Sequence, residues 1–240
     1  GVDESIYTKM GAQGSRVFYW NRASDGTCRF VIYHNGGVAG DNYDGFETTG
    51  IIPLNQWTLV TAVWSSGVTP KIYFNGVDQV GSQVTSGIKP TSFFNSSSEY
   101  MIGDADAFTW EWTGLISETR LYSEALTASE IFDLYKYGKN PPYNPVAWYR
   151  MDGDATDSAG TNDGTVTGAV NTTDPFDLPP CKPLAEVCAK GSYSFNGVDD
   201  FIALSTSGIP TTLSSAFTIS MWVNPNVNTA WQIYIQSYNG

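Results

Sequence analysis

The chain has 240 residues and a formal net charge of −12, long enough for one large β domain or two small ones and too acidic for a partner held through a phosphate backbone, where no counterions would be released. No stretch approaches the roughly 20 apolar residues that a bilayer-spanning helix needs. Eight Trp, fourteen Tyr, twelve Phe and twenty-four Gly suit aromatic strands joined by tight turns, so an all-β chain is expected.

Short alternating segments open the chain: Ile6-Tyr-Thr-Lys-Met10, Arg16-Val-Phe-Tyr-Trp20, Cys28-Arg-Phe-Val-Ile-Tyr33 and Thr58-Leu-Val-Thr-Ala-Val-Trp64. Turn residues separate them, the pattern of an antiparallel sandwich. Lys71-Ile-Tyr-Phe74 runs into Asn75-Gly76, a strong hairpin signal because both residues tolerate positive φ. A polar stretch over 79–99 precedes Tyr100-Met-Ile-Gly103, and 115–122 alternates like a strand. Thr127-Ala-Ser-Glu130 reads as a capping box that opens a short helix over 128–137.

Lys139-Asn-Pro-Pro-Tyr-Asn-Pro145 follows, with three prolines in five residues. Each lacks an amide donor and has a fixed φ, so 139–145 is expected to be a stiff connector. Beyond it come a strand at 146–151, an acidic turn at 152–157 and a loop of low hydrophobicity over 161–190. Strands resume at 192–195, 201–204 and 217–223, with an Asn196-Gly197 turn between the first two, and end in Trp231-Gln-Ile-Tyr-Ile-Gln236. Ile233-Tyr-Ile-Gln-Ser-Tyr-Asn-Gly240 resembles Ile6-Tyr-Thr-Lys-Met-Gly-Ala-Gln13. A section of a tandem array with a period near the chain length would carry such an overlap.

Cys181 and Cys188 lie seven positions apart in a Pro-rich loop and are expected to close a local ring, which implies an oxidising compartment, whereas Cys28 has no evident partner. Asn95-Ser-Ser and Asn171-Thr-Thr are glycosylation triplets in polar stretches.

Tyr193-Ser-Phe-Asn-Gly-Val-Asp-Asp-Phe-Ile202 followed by Phe217-Thr-Ile-Ser-Met-Trp222 resembles the front half of a laminin-G-like, concanavalin A-like jelly roll. Gln56-Trp57, Tyr73-Phe-Asn-Gly76, Ile102-Gly103, 114–122 and Leu126-Thr-Ala-Ser-Glu-Ile131 resemble its back half. The resemblance implies an antiparallel jelly-roll β-sandwich with one short helix, its halves written in reverse order: 1–138 as the C-terminal half and 146–240 as the N-terminal half. A circular permutant within one chain, or a frame in which a neighbouring repeat or subunit completes each half, would both produce that order. Half a jelly roll leaves open strand edges and a bare apolar face, so completion is required. Ser117 stands where the family usually has Asp, and the 161–190 loop is longer than usual.

Related jelly rolls include glycan hydrolases, which need paired acids across a glycosidic bond. The Glu-X-Asp-X-X-Glu strand of those enzymes has no counterpart here, and His34, the sole histidine, lies beside a glycine turn; no enzyme is expected. Hard oxygen ligands on rim loops make a calcium site the better expectation, with Asp104 and Asp106 where the similar pentraxins place carboxylates, Asp152, Asp154 and Asp157 as a second cluster, and Asp199 and Asp200 as a third. Turn-capping Asp is the competing reading for each. Glycan binding needs open aromatic platforms, for which Tyr19, Trp20, Tyr43, Trp110 and Trp231 are candidates, while Trp57, Trp64, Trp112, Trp148 and Trp222 fall where the resemblance implies interior residues. The expected function is an extracellular, non-enzymatic binding or structural module, a repeat of a fibre, adhesin or surface array completed by a neighbouring copy, with a carbohydrate-binding accessory domain of a secreted glycan-degrading enzyme as the alternative.

Overall fold

The computed structural model describes residues 17–34, 42–92, 99–103, 111–138, 144–174, 178–181, 188–204, 215–227 and 232–238, with Glu99 and 232–238 described by their backbone alone. Sixteen strands and one helix are present among them: β1 Phe18–Arg22, β2 Cys28–Tyr33, β3 Tyr43–Thr48, β4 Thr58–Ser65, β5 Val68–Phe74, β6 Val77–Asp78, β7 Gly81–Ser86, β8 Glu99–Ile102, β9 Thr113–Tyr122, α1 Ala128–Tyr137, β10 Ala147–Tyr149, β11 Gly164–Thr167, β12 Val170–Thr172, β13 Ser192–Asn196, β14 Phe201–Leu204, β15 Ala216–Pro225 and β16 Gln232–Tyr238.

Two antiparallel sheets stack face to face. One runs β11-β14-β8-β16-β1-β2-β3-β7, the other β12-β13-β9-β15-β4-β5-β6, with β10 also paired to β9. Strands from before and after the proline joint interleave in both. β15 lies between β9 and β4 in one sheet, and β16 lies between β8 and β1 in the other. The fold is the expected β-sandwich jelly roll with a single short helix.

Alternation along β15 explains its central place. Phe217, Ile219, Met221 and Val223 face the inter-sheet core, while Trp222 joins a second cluster on the far side of the sheet. Phe217 is fully enclosed, with its ring centroid 5.6 Å from that of Trp64, 5.9 Å from Phe18 and 6.0 Å from Phe30. One aromatic ring from after the joint thus seats among three from before it.

Local signals resolve as expected at several points. Asn75 and Gly76 both take positive φ, 51° and 81°, and turn β5 into β6 as the two-residue hairpin demands. The capping box is complete: Thr127 accepts from the Glu130 amide, and Glu130 accepts from the Thr127 amide. The helix buries Ile131 and Leu134 against the outer face of the second sheet and ends on a left-handed Gly138. Gly103, at φ 91°, has no room for a side chain, since a Cβ there would come within 2.4 Å of the Phe195 ring.

Two expectations change. The polar 79–99 stretch contains β7, paired along its length to β3, a strand also missed in the sequence. The 161–190 loop likewise carries β11 and β12. These are edge strands or their neighbours, with few apolar residues, so alternation is faint in them.

Phe217→Ala should therefore lower unfolding free energy by about 3–5 kcal/mol, whereas Thr127→Ala, which removes only the helix cap, should cost about 1 kcal/mol. Urea denaturation checks both as a shifted midpoint with an unchanged slope.

Candidate functional site

The site begins with an irregularity in β9. Opposite β15, the register slips between Ser220, which faces Arg120, and Trp222, which faces Ser117. Glu118 and Thr119 therefore share the single partner Met221, and Glu118 takes a positive φ of 50°. An extra residue in a strand re-aims the side chains after it. Here the bulge brings the Glu118 carboxylate to the outer face of the sheet, onto which Arg120 also projects.

There Glu118 Oε2 accepts from Arg120 Nη2 at 2.7 Å and from the Trp148 indole N–H at 2.8 Å. Trp148 is held on β10, directly across from Arg120. Two guanidinium groups lie over its ring, Arg120 at 4.6 Å and Arg150 at 5.0 Å from the centroid. Arg150 in turn pairs with Asp152 at 3.2 Å. Two acids and two bases balance, so the group carries no net charge.

Glu118 and Arg120 are 2% and 3% exposed, yet each keeps an unused polar atom. Glu118 Oε1 and Arg120 Nε have no hydrogen-bond partner among the described residues. Both residues line a cleft of about 350 Å³, open mouth included, whose walls also carry Tyr135, Trp222, Pro179 and Cys181. Tyr135 on α1 and Trp222 on β15 stand with ring centroids 5.9 Å apart. The Cys181–Cys188 disulfide is formed and both cysteines lie along the opposite wall. The cleft is thus walled by a buried ion pair whose hydrogen bonding is incomplete and by two rings, of which Tyr135 is the more open.

The positions expected to bind are placed differently. Tyr19 and Tyr43 do come together, bridged by Tyr33, with centroids 6.3 Å and 5.8 Å apart on the outer face of the first sheet. Arg29 and Glu47 pair beside them. Tyr19 and Tyr33 are buried, however, and only Tyr43 is partly open. Trp20 is fully enclosed between the sheets, and its indole N–H donates to Cys28 Sγ at 3.0 Å. A platform needs a free ring face, so Trp20 and Tyr19 are core residues, not platforms. Trp110 and Trp231 lie outside the described residues. Trp64, Trp112 and Trp222 are buried as expected, while Trp148 is only half-buried and lies on the outer face.

The described carboxylates expected to gather round calcium are engaged separately. Asp157 accepts from the amides of Trp148 and Ala159 with one oxygen, and from the amide and side-chain N–H of Asn162 with the other. Burial alone would push its carboxyl up, but these four donors outweigh that and hold it below the usual carboxylate range. Asp154 caps Thr156, and Asp152 pairs with Arg150. Asp199 and Asp200 bind the side-chain and backbone N–H of Asn196. No group of three or more candidate ligands clusters among the described residues; Asp154, Asp157, Asp199 and Asp200 accept from nearby backbone or Asn N–H groups, while Asp152 is ion-paired. Asp104 and Asp106 lie outside the described residues. Ser117, in the family's usual Asp position, is buried and donates to the Gly191 carbonyl at 2.6 Å.

The fold and a cleft built on its outer face define a sandwich of the lectin and laminin-G kind. A family profile matches residues 2–132 as concanavalin A-like lectin/glucanases superfamily, and the chain belongs to that superfamily. No curated protein and no solved structure matches it significantly.

Asp157→Asn should cost about 2–4 kcal/mol at neutral pH, since one carboxylate there receives several donors. Because the folded state depresses this carboxyl, its contribution is complete above the unfolded value of about 3.9 and fades as pH falls through the folded value. The gap between parent and variant, followed by urea unfolding from pH 7 downward, should close in acid.

Proposed function

We propose that the chain is a non-catalytic binding and structural module displayed outside the cell, repeated along a fibre, adhesin or surface array, and that it holds a hydroxyl-rich ligand, a glycan end, in the Glu118–Arg120 cleft. The observation that carries the ligand class is the pair of unused atoms. A sugar hydroxyl both donates and accepts, so one such group would suit Glu118 Oε1 and Arg120 Nε, which are buried in the cleft wall and become reachable when the two side chains turn toward its mouth. The balanced charge disfavours an ionic ligand, and Tyr135, half-buried at the cleft beside the enclosed Trp222, suits the C–H face of a pyranose ring. The disulfide favours an oxidising compartment, and no described helix is long and apolar enough to cross a membrane. Attachment to a secreted glycan-degrading enzyme is the alternative setting, and it would use the same cleft.

Calorimetric titration with a panel of neutral mono- and disaccharides tests this. Saturable binding is expected, weakened at least tenfold by Glu118→Gln and unchanged by Trp110→Ala. Loss with Trp110→Ala alone would move the ligand to that loop, and no binding at all would leave only the structural role. For the array, the mass in dilute solution discriminates: polymers support completion between copies, a compact monomer supports closure within one chain. Among the seven acids of the calcium expectation, Asp104 and Asp106 are the pair that the loop resemblance to pentraxins singles out for a test. A melting midpoint raised by calcium and lost in the doubly substituted Asp104→Asn, Asp106→Asn chain supports it, since a ligand that binds only the native state must stabilise it; an unmoved midpoint removes it.

A further inference from the structure

Both sides of the sandwich end in open strands. Among the described residues β7 pairs only with β3 and β11 only with β14, at opposite ends of the first sheet. Two-residue turns at 79–80 and 168–169 link these strands to β6 and β12, the end strands of the second sheet. Each side therefore presents an edge of both sheets. Edge strands are commonly blunted by charge, proline or a bulge. In a chain with twelve basic and twenty-four acidic residues, β7 reads Gly81-Ser-Gln-Val-Thr-Ser86, β11 Gly164-Thr-Val-Thr167 and β12 Val170-Asn-Thr172, with neither charge nor proline. The β3–β7 and β11–β14 ladders contain no bulge. Ser82, Gln83 and Thr85 on one side, and Thr165 and Thr167 on the other, are exposed, so solvent reaches both edges. Exposed valines flank them, Val77 and Val80 before β7 and Val170 after β11.

We infer that these two sides join copies of the chain edge to edge, β7 of one copy beside β11 of the next, so that the first sheet continues from module to module. Strand direction selects the partner. Every pairing in that sheet is antiparallel and its strands number eight, so β7 and β11 run in opposite directions. A second copy in the same orientation, advanced along the sheet, then sets β7 antiparallel to β11 with the core faces aligned. Facing agrees as well. Gln83 lies opposite Phe46, which packs on the inter-sheet core as Val166 does. Setting Val166 opposite Gln83 or Thr85 keeps both strands on their proper faces, and Thr165 then meets Val84 or Ser86. Copies with a net charge of −12 repel one another, and approach costs least along uncharged strands. The two sides differ, so the contact is head to tail and grows into a row instead of stopping at a two-fold dimer. The inference deepens the repeated-module reading and rests on it, but its test reads association through edges and not sugar binding, so either can fail alone.

Lysines on an edge strand block such pairing. Sedimentation equilibrium over a concentration series compares the parent chain with Ser82→Lys/Thr85→Lys, which blocks β7, and Thr165→Lys/Thr167→Lys, which blocks β11. The parent's mass should rise with concentration past about twice the monomer, and each variant alone should stay monomeric. An equal mixture of the two variants should reach about twice the monomer and stop there, because one open β7 and one open β11 remain to meet. Melting midpoints within about 5 °C of the parent confirm that the variants fold; where a midpoint falls further, Ser82→Lys and Thr167→Lys alone replace the pairs. The inference is overturned if the parent stays monomeric throughout, if either variant associates like the parent, if the β11 variant alone forms dimers through two β7 edges, or if the mixture stays monomeric.

Discussion

The structure depends on the insertion of β15 between β9 and β4. That strand comes from beyond the proline joint, and both of its neighbours come from before it. Each half of the sequence therefore supplies backbone partners and apolar cover to the other at the centre of the sheet. Phe217 makes the dependence specific, because its contacts are the rings of Phe18, Phe30 and Trp64. Hydrogen bonding fixes the register, and aromatic packing fixes which strand fits.

The same strand also sets up the outer face. Its even-numbered residues Thr218, Ser220 and Trp222 point away from the core. Thr218 donates to the Glu124 carbonyl and accepts from the Leu126 amide, which ties the approach to α1 onto the sheet. Ser220 bonds Thr61 on β4 at 2.9 Å. Trp222 then meets Tyr135 of the helix so anchored. The aromatic lip of the cleft is thus a consequence of how α1 is moored, and the polar floor is a consequence of the bulge in β9 opposite Met221. Core and cleft are two sides of one strand pairing.

Much of this was legible in the sequence where a signal is local and periodic. The alternation of Phe217-Thr-Ile-Ser-Met-Trp222, the capping box at Thr127 and the Asn75-Gly76 hairpin all carry their geometry in adjacent residues. The ring closed by Cys181 and Cys188 was legible from spacing and loop composition. The site was not. Glu118 read as a single acid in a strand, because nothing in Ile116-Ser-Glu-Thr-Arg120 announces a bulge when the residue at positive φ is not glycine. Trp148 was placed inside by its motif, yet the edge pairing of β10 sets it on the outer face with two arginines over its ring. Trp20 erred in the opposite sense: its polar neighbour Asn21 suggested exposure, whereas sheet stacking encloses it. Sequence proximity in the acidic turn says nothing of which amides a carboxylate meets. Folding gives Asp157 four donors and sends Asp152 toward Arg150.

Stability alone does not account for the Glu118–Arg120 arrangement. Desolvating two charges costs several kcal/mol per ion, and buried pairs in other proteins have been replaced by packed apolar residues without loss. The backbone of Glu118 adds to that cost, since a side-chain-bearing residue at φ 50° stores about 1–3 kcal/mol. Each unused buried atom forfeits further free energy, and Asp157, whose two oxygens receive four donors, avoids that cost. In the Glu118–Arg120 pair one oxygen and one nitrogen stay buried and unmatched in the wall of the cleft. The ligand proposed for the cleft would offset that cost if the two side chains turned to meet it, which ties the binding proposal to the energetics of this one buried pair.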